Sequence, residues 1–226
     1  MQRIAPKAII FDMDGLMVDT EPIYKDALQN SARSFGYELD DAFYFTLTGR
    51  PHNVIREMIH EHLGNSFPID EFWSYWPGVF TSRIETYGLH QKPGLLELLS
   101  YIKQHNLPAA VATSSNRSQA EFCLSAAEIS FPFSTIVTGD QITNGKPAPD
   151  IYLKAARELN ISPRHAIALE DSDNGIKAAY HAGMTPIMIP DMKQPGDEVK
   201  EIAHAVLPNL NEARTFIARQ FASVSN

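Results

Sequence analysis

The chain has 226 residues, 44% hydrophobic and 20% charged, with a formal net charge of −8 and a single cysteine. That balance excludes a disordered chain and leaves room for a full α/β core with a small second domain. The negative charge argues against general binding to nucleic acid or anionic membrane surfaces, and the lone Cys123 forms no intrachain disulfide, which suits a reducing compartment.

The first apolar run, Ala8-Ile9-Ile10-Phe11, is short and uncharged and reads as a buried strand. Despite Arg3 and Lys7 nearby, it is too short for a signal peptide and ends in aspartates rather than small residues. No stretch reaches the length of a membrane span, so the expected location is the cytoplasm. Asp12 and Asp14 follow the run. Side chains two apart on a strand share a face, so both carboxylates project from one side of its carboxyl end, and Gly15 permits a sharp turn. Two such carboxylates repel each other and resist desolvation unless a cation sits between them. A magnesium site with a nucleophilic carboxylate is one reading, and a strand that ends in a polar turn is the other.

Beyond Thr20 the pattern turns helical. Residues 22–35 form an amphipathic helix, opened by Glu21-Pro22 and ended by Gly36. Asp40 or Asp41 caps a short helix through Phe45, and Leu47-Thr48-Gly49-Arg50-Pro51 is a loop. Further helices run over 52–63, stopped by Gly64, and over 69–87, interrupted near Pro77-Gly78. Residues 21–88 thus hold helices and no strand.

After Lys92-Pro93-Gly94 the rhythm is strand, loop, helix. A helix covers 95–105 and a strand 109–112 ends in Thr113-Ser114-Ser115-Asn116; a helix follows over 117–127. The strand 135–137 ends in Thr138-Gly139-Asp140, and a helix covers 151–159. The strand 166–169 ends in Glu170-Asp171-Ser172, a helix covers 176–181 and a strand 186–189. Residues 190–200 read as a surface loop and 223–226 as a frayed end. The alternation predicts an α/β fold, a parallel sheet with helices on both faces, carrying an inserted all-helical domain. The expected boundaries are 1–19 with 90–226 for the core and 20–89 for the insertion.

Polar clusters fall at the carboxyl ends of the expected strands, where open parallel sheets bind ligands. Glu170 and Asp171 add hard oxygen donors of the kind magnesium prefers, while no Cys or His cluster suits a softer metal. Read alone, they suit better an acidic turn that caps the next helix, with Asp173 or Asn174 in the same role; combined with Asp12 and Asp14, the metal reading prevails. Lys146 lies in Gly145-Lys146-Pro147-Ala148-Pro149, a loop stiffened by two prolines, and can present a fixed ammonium to an anion. Thr113 and Ser114 offer hydroxyls and backbone N–H groups as an oxoanion cradle, with capping by Ser115 or Asn116 as the plain alternative. Together these parts suit phosphoryl transfer through a carboxylate, one aspartate attacking and the other shuttling the proton. Residue order alone leaves open which does which. Cys123, between Phe122 and Leu124, reads as a buried helical thiol.

Four separated motifs stand in order: Asp12-Met13-Asp14-Gly15 with Asp19-Thr20-Glu21; Thr113; Gly145-Lys146-Pro147; and Glu170-Asp171-Ser172 with Asn174-Gly175. In these the chain resembles the haloacid dehalogenase superfamily, in its branch of β-phosphoglucomutase-like sugar phosphatases, over nearly its whole length. The resemblance implies a Rossmann-like core with a mobile helical cap, the insertion at 20–89, that closes over the site and sets specificity. It implies that Asp12 is the nucleophile and Asp14 the general acid/base, and that Thr113 and Lys146 hold the transferring phosphate. Mg2+ would be bound by Asp12, the backbone carbonyl of Asp14, and Asp171, with Glu170 in or next to that shell. Arg50 lies in the cap loop where relatives place a substrate contact, although an exposed arginine beside Pro51 explains it equally well.

Dehalogenating relatives lack the second aspartate of the first motif, which this chain keeps as Asp14. Mutase relatives carry a cap-side histidine shortly after that motif, where this chain has Tyr24. A non-catalytic relative would have lost Asp12, Lys146 or Asp171. The expectation is therefore a phosphatase acting on a small phosphorylated metabolite, with a phosphosugar mutase as the alternative. No nucleic acid, membrane or obligate protein partner is expected.

Overall fold

A computed structural model describes residues 6–50 and 52–222. Arg3, Pro51 and the expected frayed end at 223–226 lie outside the described residues. Six strands, β1 (Ala8–Phe11), β2 (Ala109–Thr113), β3 (Thr135–Thr138), β4 (Ala166–Glu170), β5 (Thr185–Met188) and β6 (Ala205–Val206), form one parallel sheet in the order β3-β2-β1-β4-β5-β6. β1 is central, with Phe11 level with Val111 on one side and Leu169 on the other. The chain builds outward from β1 in one direction, then returns to build outward in the other. The carboxyl ends of β1 and β4 therefore flank a crevice at the point where the order reverses.

Ten helices are described: α1 (Glu21–Ser34), α2 (Asp41–Leu47), α3 (His52–Leu63), α4 (Ile69–Tyr87), α5 (Leu95–Gln104), α6 (Arg117–Ala126), α7 (Asp150–Glu158), α8 (Asp173–His181), α9 (Asp197–Ile202) and α10 (Leu210–Ala222). No helix among the described residues is long and apolar enough to cross a membrane. β1, β2 and β4 are buried at every position, so both faces of the sheet are covered. On one face Ile10, Ala110, Ala112, Ala166 and Ala168 meet Ile151, Tyr152 and Ala155 of α7 and Ala178 and Ala179 of α8. Alanines on the strands leave room there for Tyr152, the largest fully buried side chain. Burying each large apolar side chain in such a cluster contributes about 1.5–3 kcal/mol.

By its internal contacts the chain divides into two units, Met1–Val18 with Gln91–Asn226, and Asp19–His90. The first holds the sheet; Val18 bridges Gln91 within it. The second is all-helical, with α1 packed on α4. There Tyr24 stacks on Phe80 with ring centroids 4.4 Å apart and lies 5.6 Å from Trp76.

Three expectations need correction. Helix α4 is not interrupted at Pro77-Gly78 but continues through them. Its buried stripe of Phe72, Trp76, Phe80 and Ile84 outweighs the hydrogen bond lost at an exposed proline. Replacing Pro77 by Ala is accordingly expected to stabilise the protein by about 1–3 kcal/mol, read as a higher midpoint in urea; an unchanged or lower midpoint would contradict it. Helix α8 begins at Asp173, not Ile176, because the Ser172 side chain caps it by accepting from the Gly175 N–H. The 190–200 segment is not all loop: α9 starts at Asp197, and Val199 is buried against Ile176 and Met188. β6 and α10 were not expected from the sequence.

Candidate active site

Asp12 leaves the end of β1 with its N–H still bonded to the Leu169 carbonyl at 3.0 Å, so the sheet ladder fixes its backbone. Its carboxylate is buried. Lys146 comes from the loop between β3 and α7. Asp150 Oδ1 accepts from the Asn144 N–H at 3.3 Å and side-chain amide at 3.0 Å, and the Ala148 N–H donates to the Gly145 carbonyl at 3.0 Å. The Lys146–Pro147 peptide is cis.

The Lys146 ammonium has three protons and three acceptors: Asp12 Oδ1, the Ala112 carbonyl at 3.1 Å and Glu170 Oε1 at 2.6 Å. Glu170, at the end of β4, is fully buried. The Tyr152 hydroxyl donates to Oε1 at 2.6 Å, and the Ser172 hydroxyl donates to Oε2 at 3.1 Å. Gly175 makes this burial possible, since a Cβ there would come within 2.0 Å of the Glu170 carboxylate.

One ammonium thus stands between two buried carboxylates and can compensate only one. Burial opposes the Lys146 charge, but Asp12 and Glu170 outweigh it and hold the ammonium above the ordinary lysine value. Burial pushes the Asp12 carboxyl up to about 8, against the pull of Lys146 and with help from the charges of Glu170 and Asp14. Burial, and then the charge of Glu170, push the Tyr152 hydroxyl well above its usual value.

The excess negative charge has a geometry that fits a metal. Asp12, Glu170 and Asp171 each offer a carboxylate oxygen, and these atoms lie within 4.8 Å of one another. Gly15, at φ +79°, lets Asp171 approach: a Cβ there would stand 2.4 Å from Asp171 Oδ2 and 3.3 Å from Asp191 Oδ2. Asp191, which follows β5, pairs through Oδ1 with the Lys92 ammonium at 2.6 Å. Its Oδ2 is buried without a hydrogen-bond partner among the described residues. An all-oxygen donor set with uncompensated charge suits a hard divalent cation such as Mg2+.

The Asp14 side chain stands outside that trio. Its Oδ2 accepts from the Thr113 hydroxyl at 3.1 Å and from the Ser115 hydroxyl at 2.8 Å. Ser114 has an exposed side chain. Asn116 caps α6, accepting from the Gln119 N–H at 2.9 Å. Arg50 belongs to the helical unit, is exposed, and donates through Nε to the Thr46 carbonyl at 2.7 Å. Burial, and then the charge of Asp14, push the Cys123 thiol up to about 12, which leaves no thiolate for chemistry near neutral pH. The structure therefore brings together Asp12, Asp14, Thr113, Lys146, Glu170 and Asp171, and leaves the Ser114 side chain outside their hydrogen bonds.

Sequence reading passed over four residues at this edge. Ser115 reads as a helix cap, Tyr152 lies unremarked in the expected 151–159 helix, Lys92 stands in a boundary segment and Asp191 in the expected 190–200 loop. Asp191 follows a strand by the same rule that singled out Asp12 and Glu170; that signal was present.

Residues 9–189, which hold every one of these site residues except Asp191, match the family described as haloacid dehalogenase-like hydrolase. The chain is 33% identical over 181 residues to a phosphorylated carbohydrates phosphatase of Thermotoga maritima, spanning 80% of this chain and 83% of that protein. It is 34% identical over 216 residues to a probable pseudouridine-5'-phosphatase of Saccharomyces cerevisiae, spanning 90% and 87%. Its backbone follows the crystal structure of a β-phosphoglucomutase from Clostridium difficile with a TM-score of 0.80 at 25% identity, covering 97% of this chain and 98% of that one. The motifs at three strand ends, the sheet order and this matched span lead to one assignment: the chain belongs to the haloacid dehalogenase-like hydrolases.

Proposed function

We propose that the protein is a Mg2+-dependent phosphatase that hydrolyses a small phosphorylated metabolite, a phosphorylated carbohydrate, through an aspartyl phosphate on Asp12. It is a phosphoric monoester hydrolase. The observation that carries this reading is the buried Asp12 carboxylate, held by Lys146 and set among Glu170 and Asp171, with Asp14 fixed two residues away. The kinship with a carbohydrate phosphatase supports the substrate class.

Asp12 attacks phosphorus, forming an acyl–phosphate bond as the ester P–O bond breaks, and Asp14 gives its proton to the leaving oxygen. Asp14 then takes a proton from water, whose oxygen attacks the phosphoenzyme and frees Asp12 and inorganic phosphate. Lys146 exchanges one of its acceptors for a phosphoryl oxygen and opposes the charge that develops there. Thr113, whose hydroxyl donates to Asp14 Oδ2, is proposed with Lys146 as a contact of the transferring phosphate. Asp12, Asp171 and the Asp14 backbone carbonyl would hold Mg2+, with Glu170 in or next to that shell, and the ion when bound supplies charge stabilisation to the phosphoryl group. Arg50 and Ser114 are proposed as further substrate contacts, and residues 20–89 as the cap that selects the substrate.

The test is a panel of sugar phosphates and nucleoside monophosphates, pseudouridine 5'-phosphate included, assayed for released phosphate. Turnover is expected with Mg2+ and is expected to vanish in EDTA. No release from any of them, or release that EDTA leaves intact, would refute the reading. A phosphosugar mutase is the second reading, favoured by the structural likeness to a mutase. It would convert β-glucose 1-phosphate to the 6-phosphate without free phosphate. Against it, Tyr24 stands where mutase relatives carry a histidine and is packed on Phe80 and Trp76.

A further inference from the structure

Ser115 is buried, yet its hydroxyl does not cap the helix that follows; it donates to Asp14 Oδ2 at 2.8 Å. Thr113 Oγ1 donates to the same oxygen at 3.1 Å while accepting from the Ser115 N–H at 3.0 Å. Both hydroxyl protons are thus committed to one oxygen of the carboxyl group. The other, Asp14 Oδ1, is buried without a hydrogen-bond partner among the described residues. The turn that carries Ser115 is fixed from behind. The Gly139 N–H donates to the Ser115 carbonyl at 2.9 Å, and a Cβ on Gly139 would come 2.2 Å from the Ser114 carbonyl oxygen.

We propose that Ser115 is a positioning residue for Asp14: with Thr113 it occupies Oδ2 as a double acceptor and leaves Oδ1 as the oxygen that delivers and retrieves the proton. The inference rests on the reading of Asp14 as the general acid/base. An oxygen that already accepts two hydrogen bonds has little capacity to carry a proton of its own, and a carboxyl group pinned at one oxygen presents the other in a fixed direction. In the first step the Asp14 Oδ1–H bond breaks as the ester P–O bond breaks, and the proton goes to the leaving oxygen. In the second step Oδ1 takes a proton from the attacking water. Ser115 exchanges no proton and touches no reacting atom.

The assignment predicts a dependence on the leaving group that a purely structural serine would not show. A sugar alkoxide leaves poorly unless it is protonated, whereas p-nitrophenolate leaves without help. The experiment measures release of the alcohol or of nitrophenolate in a single turnover with Mg2+, so that only the phosphorylation step is read. Ser115→Ala is expected to slow release of a sugar from its phosphate about 10- to 100-fold and release of nitrophenolate less than about 3-fold. Ser115→Thr keeps the hydroxyl and is expected to restore most of the sugar-phosphate rate. Asp14→Asn is expected to show a larger split of the same kind. If Asp14→Asn splits the two substrates while Ser115→Ala slows both equally or neither, the positioning role is overturned and the acid role of Asp14 stands. If Asp14→Asn shows no split, the acid role itself fails and the inference falls with it.

Discussion

Asp12→Asn is expected to reduce phosphate release by at least about 10⁴-fold and to leave the metal-free protein no less stable than the parent by more than about 1 kcal/mol. The amide keeps an oxygen where Lys146 donates, so the ammonium retains its three acceptors. What is lost is the nucleophile. The stability half of the prediction follows from the environment: burial raises the Asp12 carboxyl to about 8, so its charge is already unwelcome in the metal-free site. Asn carries no charge to desolvate. Urea unfolding and a single-turnover assay for phosphoenzyme check both parts. Retention of more than about one hundredth of the parent rate would remove Asp12 as the nucleophile, because loss of such a group ordinarily costs far more.

Gly175→Ala is expected to destabilise the protein by roughly 3–5 kcal/mol and to lower activity with it. The added Cβ would overlap three atoms of the Glu170 carboxylate, at 1.9 to 2.0 Å. That carboxylate is not a flexible end that swings aside: Lys146, Tyr152 and Ser172 hold it on both oxygens. To make room it must abandon them, leaving a buried ammonium short of one acceptor and a buried tyrosine hydroxyl without any. Gly78 in α4 supplies the control. It has open space where a Cβ would stand, so Gly78→Ala is expected to stabilise by about 0.5–1 kcal/mol. Denaturation midpoints that move together for the two variants would show that the clash at Gly175 does not govern its effect.

The strands from β1 to β5 were legible because short apolar runs bounded by turns have few other homes, and the polar groups at their carboxyl ends were legible because a parallel sheet collects ligands there. The fold class followed from alternation alone. The site was harder to read where one residue type serves two purposes. Ser115 sits two places before α6, beside the cap Asn116, where serine ordinarily reads as a cap; only the path of β2 beside β1 turns its hydroxyl toward Asp14. Tyr152 lies on the buried stripe of α7 among Ile151 and Ala155, and nothing in its spacing shows that its hydroxyl ends at Glu170. Glu170 itself reads as a metal ligand or a cap, and the structure shows that Lys146, Tyr152 and Ser172 already occupy its oxygens. The Lys92–Asp191 pair joins residues far apart in the chain, which no local pattern reveals. α4 was misread at Pro77 for the opposite reason: the local signal is strong, but the buried face of the helix decides.

Val18 pairs with Gln91, and the Asp19 N–H donates to the His90 carbonyl at 2.9 Å, so the helical insertion begins and ends at one place. The sheet is indifferent to what is threaded between those two points: β1 meets β2 and β4 in the same register whatever the length of the excursion. Helices in that block can be lengthened, lost or resurfaced without displacing Asp12 by a residue. With residues 20–89 as the proposed cap, reaction and recognition occupy separate stretches of sequence, free to change at different rates.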